Sequence, residues 1–406
     1  MPGGRHPHRG LIATVEQIVI VGGGLAGHRA AEALRKAGFG GAVVLVGDET
    51  HRPYDRPPLS KQLLAGSMTA DETLYRVSAD ANVTWTLGQA AVSLDRDRQV
   101  VRLADGTEVP YDGLMITTGR RARSWPELPE LEGFHVLRSL DDAAGFREAV
   151  SSTSRVVIVG AGFIGCEVAA TLRGLGVTEV AVVDIAPFPM PVLGAEVGKR
   201  AITLHEQNGV RFFLSTSVSG FAGQGGRVSG VDLADGRSLP ADVVLLALGS
   251  APNTEWLEGS GLELLDGAVL CDEHCVAVGT SNIVAAGDVA AWPHPQAGRP
   301  ICIEHWAIAR DMAATAATNL LADPGGRASF ATVPTFWSDQ YSVKMKSAGL
   351  LAVADRFEVV EEDTEKPSLV VEAFRGQELI GAIVFNKNKA IIGYQRALAG
   401  QLAGAR

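Results

Sequence analysis

Cysteine is scarce in this chain of 406 residues: four, at positions 166, 271, 275 and 302. So few, at such uneven spacing, argue against a disulfide framework and fit a reducing compartment. Long apolar runs are missing too. No stretch approaches the ~18 residues of a membrane-spanning helix. The opening MPGGRHPHRGLIATVE holds no apolar core of the kind a secretory signal needs. Residues 1–16 therefore read as a disordered tail, and the protein as cytoplasmic and free of membrane. Basic side chains are outnumbered, 36 Lys and Arg against 46 Asp and Glu, and a net charge of −10 disfavours nonspecific nucleic-acid binding. A chain of this length is too long for one core, and three domains are expected.

Glycine, by contrast, is abundant at 47 residues, and two glycine-rich turns organise the chain. IVIVGGGLAG ends an apolar strand at Gly22-x-Gly24-x-x-Gly27 and opens a helix through Leu25 and Ala26. The first glycine permits the tight turn, the second admits a pyrophosphate to the backbone, and the third lets helix and strand pack closely. Asp48 and Glu49 follow about twenty residues on, near the spacing expected of a ribose acceptor. VVIVGAGFIG repeats the pattern at Gly160-x-Gly162-x-x-Gly165, with Phe163 and Ile164 entering the helix and Asp184 at the acceptor position. Asp184 suits the ribose hydroxyls of NAD and repels a 2′-phosphate, and IAPFPMPVLG after it carries no Lys or Arg, so NADH is expected over NADPH.

The hairpins are duplicated as well. Each glycine unit is followed by alternating strands with an Asp-Gly turn, ending in an apolar strand and then Gly119 or Gly249. Whole domains thus look copied. The stretch from VPTFWSDQYSVKMKSAG onward reads as strands and then a helix, a smaller α+β domain. The fold class is α/β, two Rossmann-like dinucleotide-binding domains plus a C-terminal α+β domain. Two dinucleotides in one chain suggest a bound cofactor, FAD, and an exchanging substrate, because hydride transfer needs donor and acceptor rings face to face.

RPYDRPPLSK, TTGRRAR, GAGFIGCE, TSNIVAAGDVAAWPHP, EHW and FWSDQY together resemble the FAD-dependent NADH:ferredoxin reductases that serve Rieske oxygenases and cytochromes P450. The resemblance implies an FAD domain in two pieces, 17–120 and 250–328, an NAD domain at 121–249 and a C-terminal domain at 329–406. It assigns Arg56, Pro57, Lys61, Thr118, Gly119, Arg123 and Asp288 to FAD, puts Trp306 and Trp337 near the flavin ring, and gives Gly249 to NAD. By the same resemblance Lys61 lies by the flavin and pairs with Glu167. A fixed ammonium there would stabilise negative charge on reduced flavin, and Glu167 could bond the nicotinamide carboxamide. Arg120 and Arg121 depart from the family's usual small residues or proline, and Thr335 from an aromatic.

Disulfide reductases of this architecture carry a cysteine pair near the flavin, and NADH peroxidases or oxidases commonly a single redox cysteine; between Gly27 and Gly160 this chain has none. Thiol chemistry at the flavin is not expected. Cys271 and Cys275, in CDEHC, read as packing residues. Lys344 and Lys346, then Lys387 and Lys389, stand in two acid-free stretches of the domain expected to cover the flavin. With Arg310 they form the expected docking surface for an acidic two-iron two-sulfur ferredoxin. A monomer or weak homodimer is expected. A redox-sensing flavoprotein similar to apoptosis-inducing factor, and an NADH oxidase, stay open as alternatives.

Overall fold

In the computed structural model, residues 15–76, 81–363 and 367–404 are described. Most of the expected tail therefore lies outside them, but Glu16 is held: its N–H donates to Asp112 and its carbonyl accepts from Ala42.

The strand before each glycine turn is apolar on both faces, as a strand covered by helices on either side must be. Gln17–Val21 lies at the centre of a five-stranded parallel sheet, between Ala42–Gly47 and Gly113–Ile116, with Val83–Leu87 and Ile283–Ala285 at the edges. Arg155–Val159 occupies the same place in a second sheet. There its neighbours are Glu179–Val183 and Val243–Leu246, and the edges are Val210–Phe213 and Phe134–His135. Each sheet carries its own three-stranded antiparallel meander, Ala91–Pro110 in the first and Val218–Pro240 in the second. The duplication seen in the sequence is thus a duplication of whole architecture. The chain passes between the two halves at Arg120–Ala122 and Ser250–Pro252, which pair as an antiparallel ladder.

The roles of the three glycines are geometric. At Gly22 φ is +123°, and a Cβ would lie 2.1 Å from the Thr117 carbonyl oxygen; at Gly27 it would lie 2.0 Å from that of Gly22. Around Gly24, nothing lies within 4 Å of that position. Backbone closure thus demands the outer glycines, while the middle one faces open space where a phosphate can approach. Gly160, Gly165 and Gly162 repeat the pattern in the second turn.

The third unit is an antiparallel sheet in the order Thr335–Gln340, Val343–Gly349, Glu378–Phe385, Ser368–Arg375, Arg356–Asp363. One face is covered by the helix Asn388–Gly404 through Ile391 and Leu398. The opposite face sends Val343, Met345 and Ile383 against Cys166, Met190 and Val197 of the second half. Among the described residues no helix is long and apolar enough to cross a membrane.

Candidate active site

A cavity of about 1310 Å³ runs between the two halves and under the first strand of the C-terminal sheet. It exceeds the ~300–1,000 Å³ usual for one small ligand. Its walls include Gly22, Gly24, Leu25, Ala26, Asp48 and Glu49 from the first turn and its acceptor strand, and Gly162, Phe163, Ile164 and Glu167 from the second. Pro57, Thr118, Gly119 and Gly249 line it as well. The two turns therefore open into one space, although the residues that bring them there are far apart in the sequence.

At the junction of the turns lies the Lys61–Glu167 pair. Lys61 Nζ donates to Glu167 Oε2 at 2.6 Å, and the side chains are 12% and 4% exposed. Lys61 is held at the end of the short helix Pro57–Ser60, and Glu167 sits in the first turns of the helix Phe163–Gly174. Ser60 Oγ donates to the same carboxylate oxygen at 2.5 Å, and Ser338 Oγ to the other at 2.7 Å. A buried ion pair holds only when its remaining lone pairs are met, and the two hydroxyls meet them here. Both serines stand inside the motifs PPLSK and FWSDQY, so the sequence carried the signal, but a serine in a motif does not announce its partner.

Both oxygens of Glu49 are held. Arg56 donates to its Oε1 at 2.5 Å, Tyr54 donates its hydroxyl to Oε2 at 2.6 Å, and Arg56 also reaches the Tyr54 hydroxyl and the Arg138 carbonyl. Arg56 lines the cavity, yet its visible work is to orient the ribose-acceptor candidate. Asp288 lines the cavity and accepts from Arg138 at 3.0 Å, a partner that sequence reasoning missed. Trp306 and Trp337 meet edge to face at 6.0 Å. The Trp306 indole is anchored by donation to Asp55 at 2.8 Å.

The structure places several of the expected residues outside the cavity lining. Arg123 is exposed, is not among the lining residues, and donates to the Ser250 carbonyl; Arg120 and Arg121, beside the interdomain ladder, line the cavity instead. Gly27, Gly160 and Gly165 shape the turns from behind and do not line it. Asp184 is also outside the lining, and its two oxygens accept from the Ala161 and Ala186 N–H groups at 2.6 and 2.7 Å. It braces the second turn, with lone pairs left for a ribose.

Of the docking candidates, Lys346 stands opposite Trp337 in the strand register, Lys344 is exposed beside it, and Arg310 lies 5.2 Å over Trp306 while paired with Asp311. Lys389 is exposed at the start of the last helix. Lys387 is different. It is ion-paired to Glu361 on the opposite edge strand. The stretch lacked acids along the chain, but the fold brings one across.

No cysteine lines this cavity among the described residues, although Cys302 Sγ donates to the Asp288 carbonyl at 3.2 Å behind the wall. Cys166, Cys271 and Cys275 are fully buried, and desolvation pushes all three thiols up. Cys271 and Cys275 lie in the core of the first half, as packing residues should.

Residues 16–313 match the pyridine nucleotide-disulphide oxidoreductase family, and residues 335–404 the reductase C-terminal family. The chain belongs to this FAD-dependent oxidoreductase family. Over 391 residues it is 37% identical to a rhodocoxin reductase of Rhodococcus erythropolis, covering 95% of this chain and 90% of that one. It is 34% identical to the ferredoxin–NAD(+) reductase component of an anthranilate 1,2-dioxygenase system of Burkholderia cepacia, covering 95% of each. Among solved structures, it matches the covalent putidaredoxin reductase–putidaredoxin complex with a TM-score of 0.87 and 32% identity, covering 94% and 93% of the two chains.

The residues present suit FAD. Open space at Gly24 is a cradle that a side chain would fill. His305 lines the cavity with a buried Nδ1 that has no partner among the described residues.

Proposed function

We propose that the protein passes electrons from NADH through bound FAD to a two-iron two-sulfur ferredoxin that supplies a cytochrome P450 or Rieske oxygenase. The observation that carries this reading is the buried Lys61–Glu167 pair at the meeting point of the two glycine turns, in a cavity that no cysteine lines among the described residues. When bound, FAD would accept one hydride, carrying two electrons, and release those electrons one at a time, the conversion that a nicotinamide cannot make for a one-electron carrier. The protein's own part is electrostatic and steric. Lys61 holds a positive charge in a water-poor site, where it stabilises added negative charge without having to reorganise. Glu167 keeps that ammonium in place and offers an acceptor to the carboxamide of NADH. Gly24 and Gly162 admit the two pyrophosphates, Glu49 and Asp184 take the riboses, and Asp184 sets the preference for NADH.

Trp306 and Trp337 cover the cavity on the side where Lys344, Lys346 and Arg310 stand, which supports ferredoxin docking there. The division into an FAD domain at 17–120 and 250–328, an NAD domain at 121–249 and a C-terminal domain at 329–406 belongs to the same proposal, as does the cytoplasmic location. NADH-driven cytochrome c reduction, measured with and without a panel of ferredoxins, tests it. Strong stimulation by two-iron ferredoxins is expected; a rate that no ferredoxin raises would overturn the reading.

A further inference from the structure

Behind Glu167 a line of buried polar groups runs from the active site, between the second half and the C-terminal sheet, to the first hairpin turn of that sheet. Ser338 Oγ, which bonds Glu167 Oε1, receives Gln340 Nε2 at 3.1 Å; Gln340 Oε1 faces His205 Nε2 at 2.9 Å; and His205 Nδ1 faces the Tyr341 hydroxyl at 3.1 Å. Ser338, Gln340 and His205 are all buried. His205 comes from the helix Ala195–Gln207 of the second half, whereas Ser338, Gln340 and Tyr341 come from the first hairpin of the C-terminal sheet.

Chemistry fixes the direction of every link. A carboxylate only accepts, so Ser338 must donate to Glu167, and its oxygen must then accept from the Gln340 amide nitrogen. The other hydrogen of that amide points to Met190 Sδ at 3.7 Å. Turning the amide over would set its oxygen against the sulfur and draw the serine proton away from Glu167, so the carboxylate determines the amide orientation. Gln340 Oε1 must then receive a proton-bearing Nε2. Burial pushes the His205 imidazole down to about 4, so it is neutral, and its bare Nδ1 accepts from Tyr341. Tyr341 is held in the left-handed region at φ 54° on a two-residue hairpin turn, which a tyrosine rarely adopts.

We propose that His205 and Gln340 are positioning residues for Glu167, the inner members of a one-way donor chain from Tyr341 that holds one carboxylate oxygen and leaves the other to Lys61 and Ser60. The inference rests on the reading that Lys61 and Glu167 serve hydride transfer from NADH. It adds two groups that meet across 135 residues of sequence. It also gives the C-terminal sheet a task in the NADH half-reaction besides covering the cavity. Through Met190, whose N–H donates to the Ala161 carbonyl in the second turn, the same amide touches the segment that follows Asp184. The pyridine-nucleotide loop and the Lys61–Glu167 pair thus share one anchor.

The test uses the FAD-loaded enzyme and three variants, Ser338→Ala, Gln340→Glu and Tyr341→Phe. Gln340→Glu keeps the size of the side chain but turns its donor into an acceptor, so Ser338 is pulled from Glu167. Anaerobic stopped-flow should show the limiting rate of flavin reduction falling roughly tenfold or more in Ser338→Ala and Gln340→Glu, with the NADH dissociation constant changed less than about twofold. Tyr341→Phe, at the outer end, should have a smaller effect. Independently of turnover, ¹⁵N-histidine NMR should report the Nε2–H tautomer for His205, a less defined tautomer in Tyr341→Phe, and titration at higher pH in Gln340→Glu. Unaltered limiting rates in both inner variants, or an Nδ1–H tautomer in the parent, would overturn the proposal. A parent flavin that NADH does not reduce would instead refute the underlying reading.

Discussion

At the scale of single residues, the site turns on one buried ion pair, and its stability and chemistry can be separated. Lys61→Met leaves the Glu167 carboxylate buried with only two hydroxyl donors. Breaking a buried pair in this way costs about 3–5 kcal/mol, most of it the penalty of the uncompensated charge. The double variant Lys61→Met, Glu167→Gln removes that charge and should recover most of the melting temperature. Hydride transfer should not recover, because the fixed positive charge is still missing. Calorimetry and anaerobic flavin reduction on the same samples check both halves; a double variant as fast as the parent would show that Lys61 matters only for folding. Lys61 and Glu167 could be named from their motifs alone. Ser60, Ser338, Gln340 and His205 could not be assigned partners, since Ser60 and Ser338 reach Glu167, and His205 reaches Gln340, across units that no local spacing links.

At the scale of elements, the glycine turns were the most legible part of the chain. An apolar strand, a fixed glycine spacing and a helix are all local, and their physics is steric. The structure adds which glycine does what, and this yields a contrast within one turn. In Gly165→Ala the new Cβ would lie 2.0 Å from the Gly160 carbonyl oxygen, so the turn must open, and both thermal stability and NADH binding should fall. In Gly162→Ala the Cβ meets nothing within 4 Å, so the melting temperature should hold while the KM for NADH rises, because the methyl occupies space meant for phosphate. FAD content should be unchanged in both, as the first turn is untouched. Equal KM values for Gly162→Ala and the parent would mean that the pyrophosphate passes elsewhere. Less legible was the bracing of Asp184, which spacing marks as a ribose acceptor but cannot reveal as the clamp on its own turn.

At the scale of the whole molecule, docking of the proposed acidic ferredoxin on a protein of net charge −10 would depend on a local field that overrides the average. The sequence located basic stretches by the absence of neighbouring acids, a one-dimensional test that fails when a sheet folds. Lys387 is ion-paired in this way to Glu361 on the edge strand of the same sheet, whereas register sets Lys346 opposite Trp337 at the cavity rim. The two lysines therefore make an internal control. Lys346→Glu should lower the second-order rate of ferredoxin reduction severalfold at low salt, and the difference from the parent should shrink as salt rises, because exposed charges are screened over ~8 Å at physiological ionic strength. Lys387→Glu loses its pairing with Glu361 but should leave ferredoxin reduction within about twofold, the range of an exposed charge remote from the contact. Flavin reduction by NADH should be unaffected in both, because that half-reaction proceeds at the Lys61–Glu167 side of the cavity. Stopped-flow measurement of the two half-reactions across a salt series separates the outcomes. If Lys387→Glu slows ferredoxin reduction as much as Lys346→Glu does, the partner covers the far edge of the C-terminal sheet, and the tryptophan rim is not the exit for electrons.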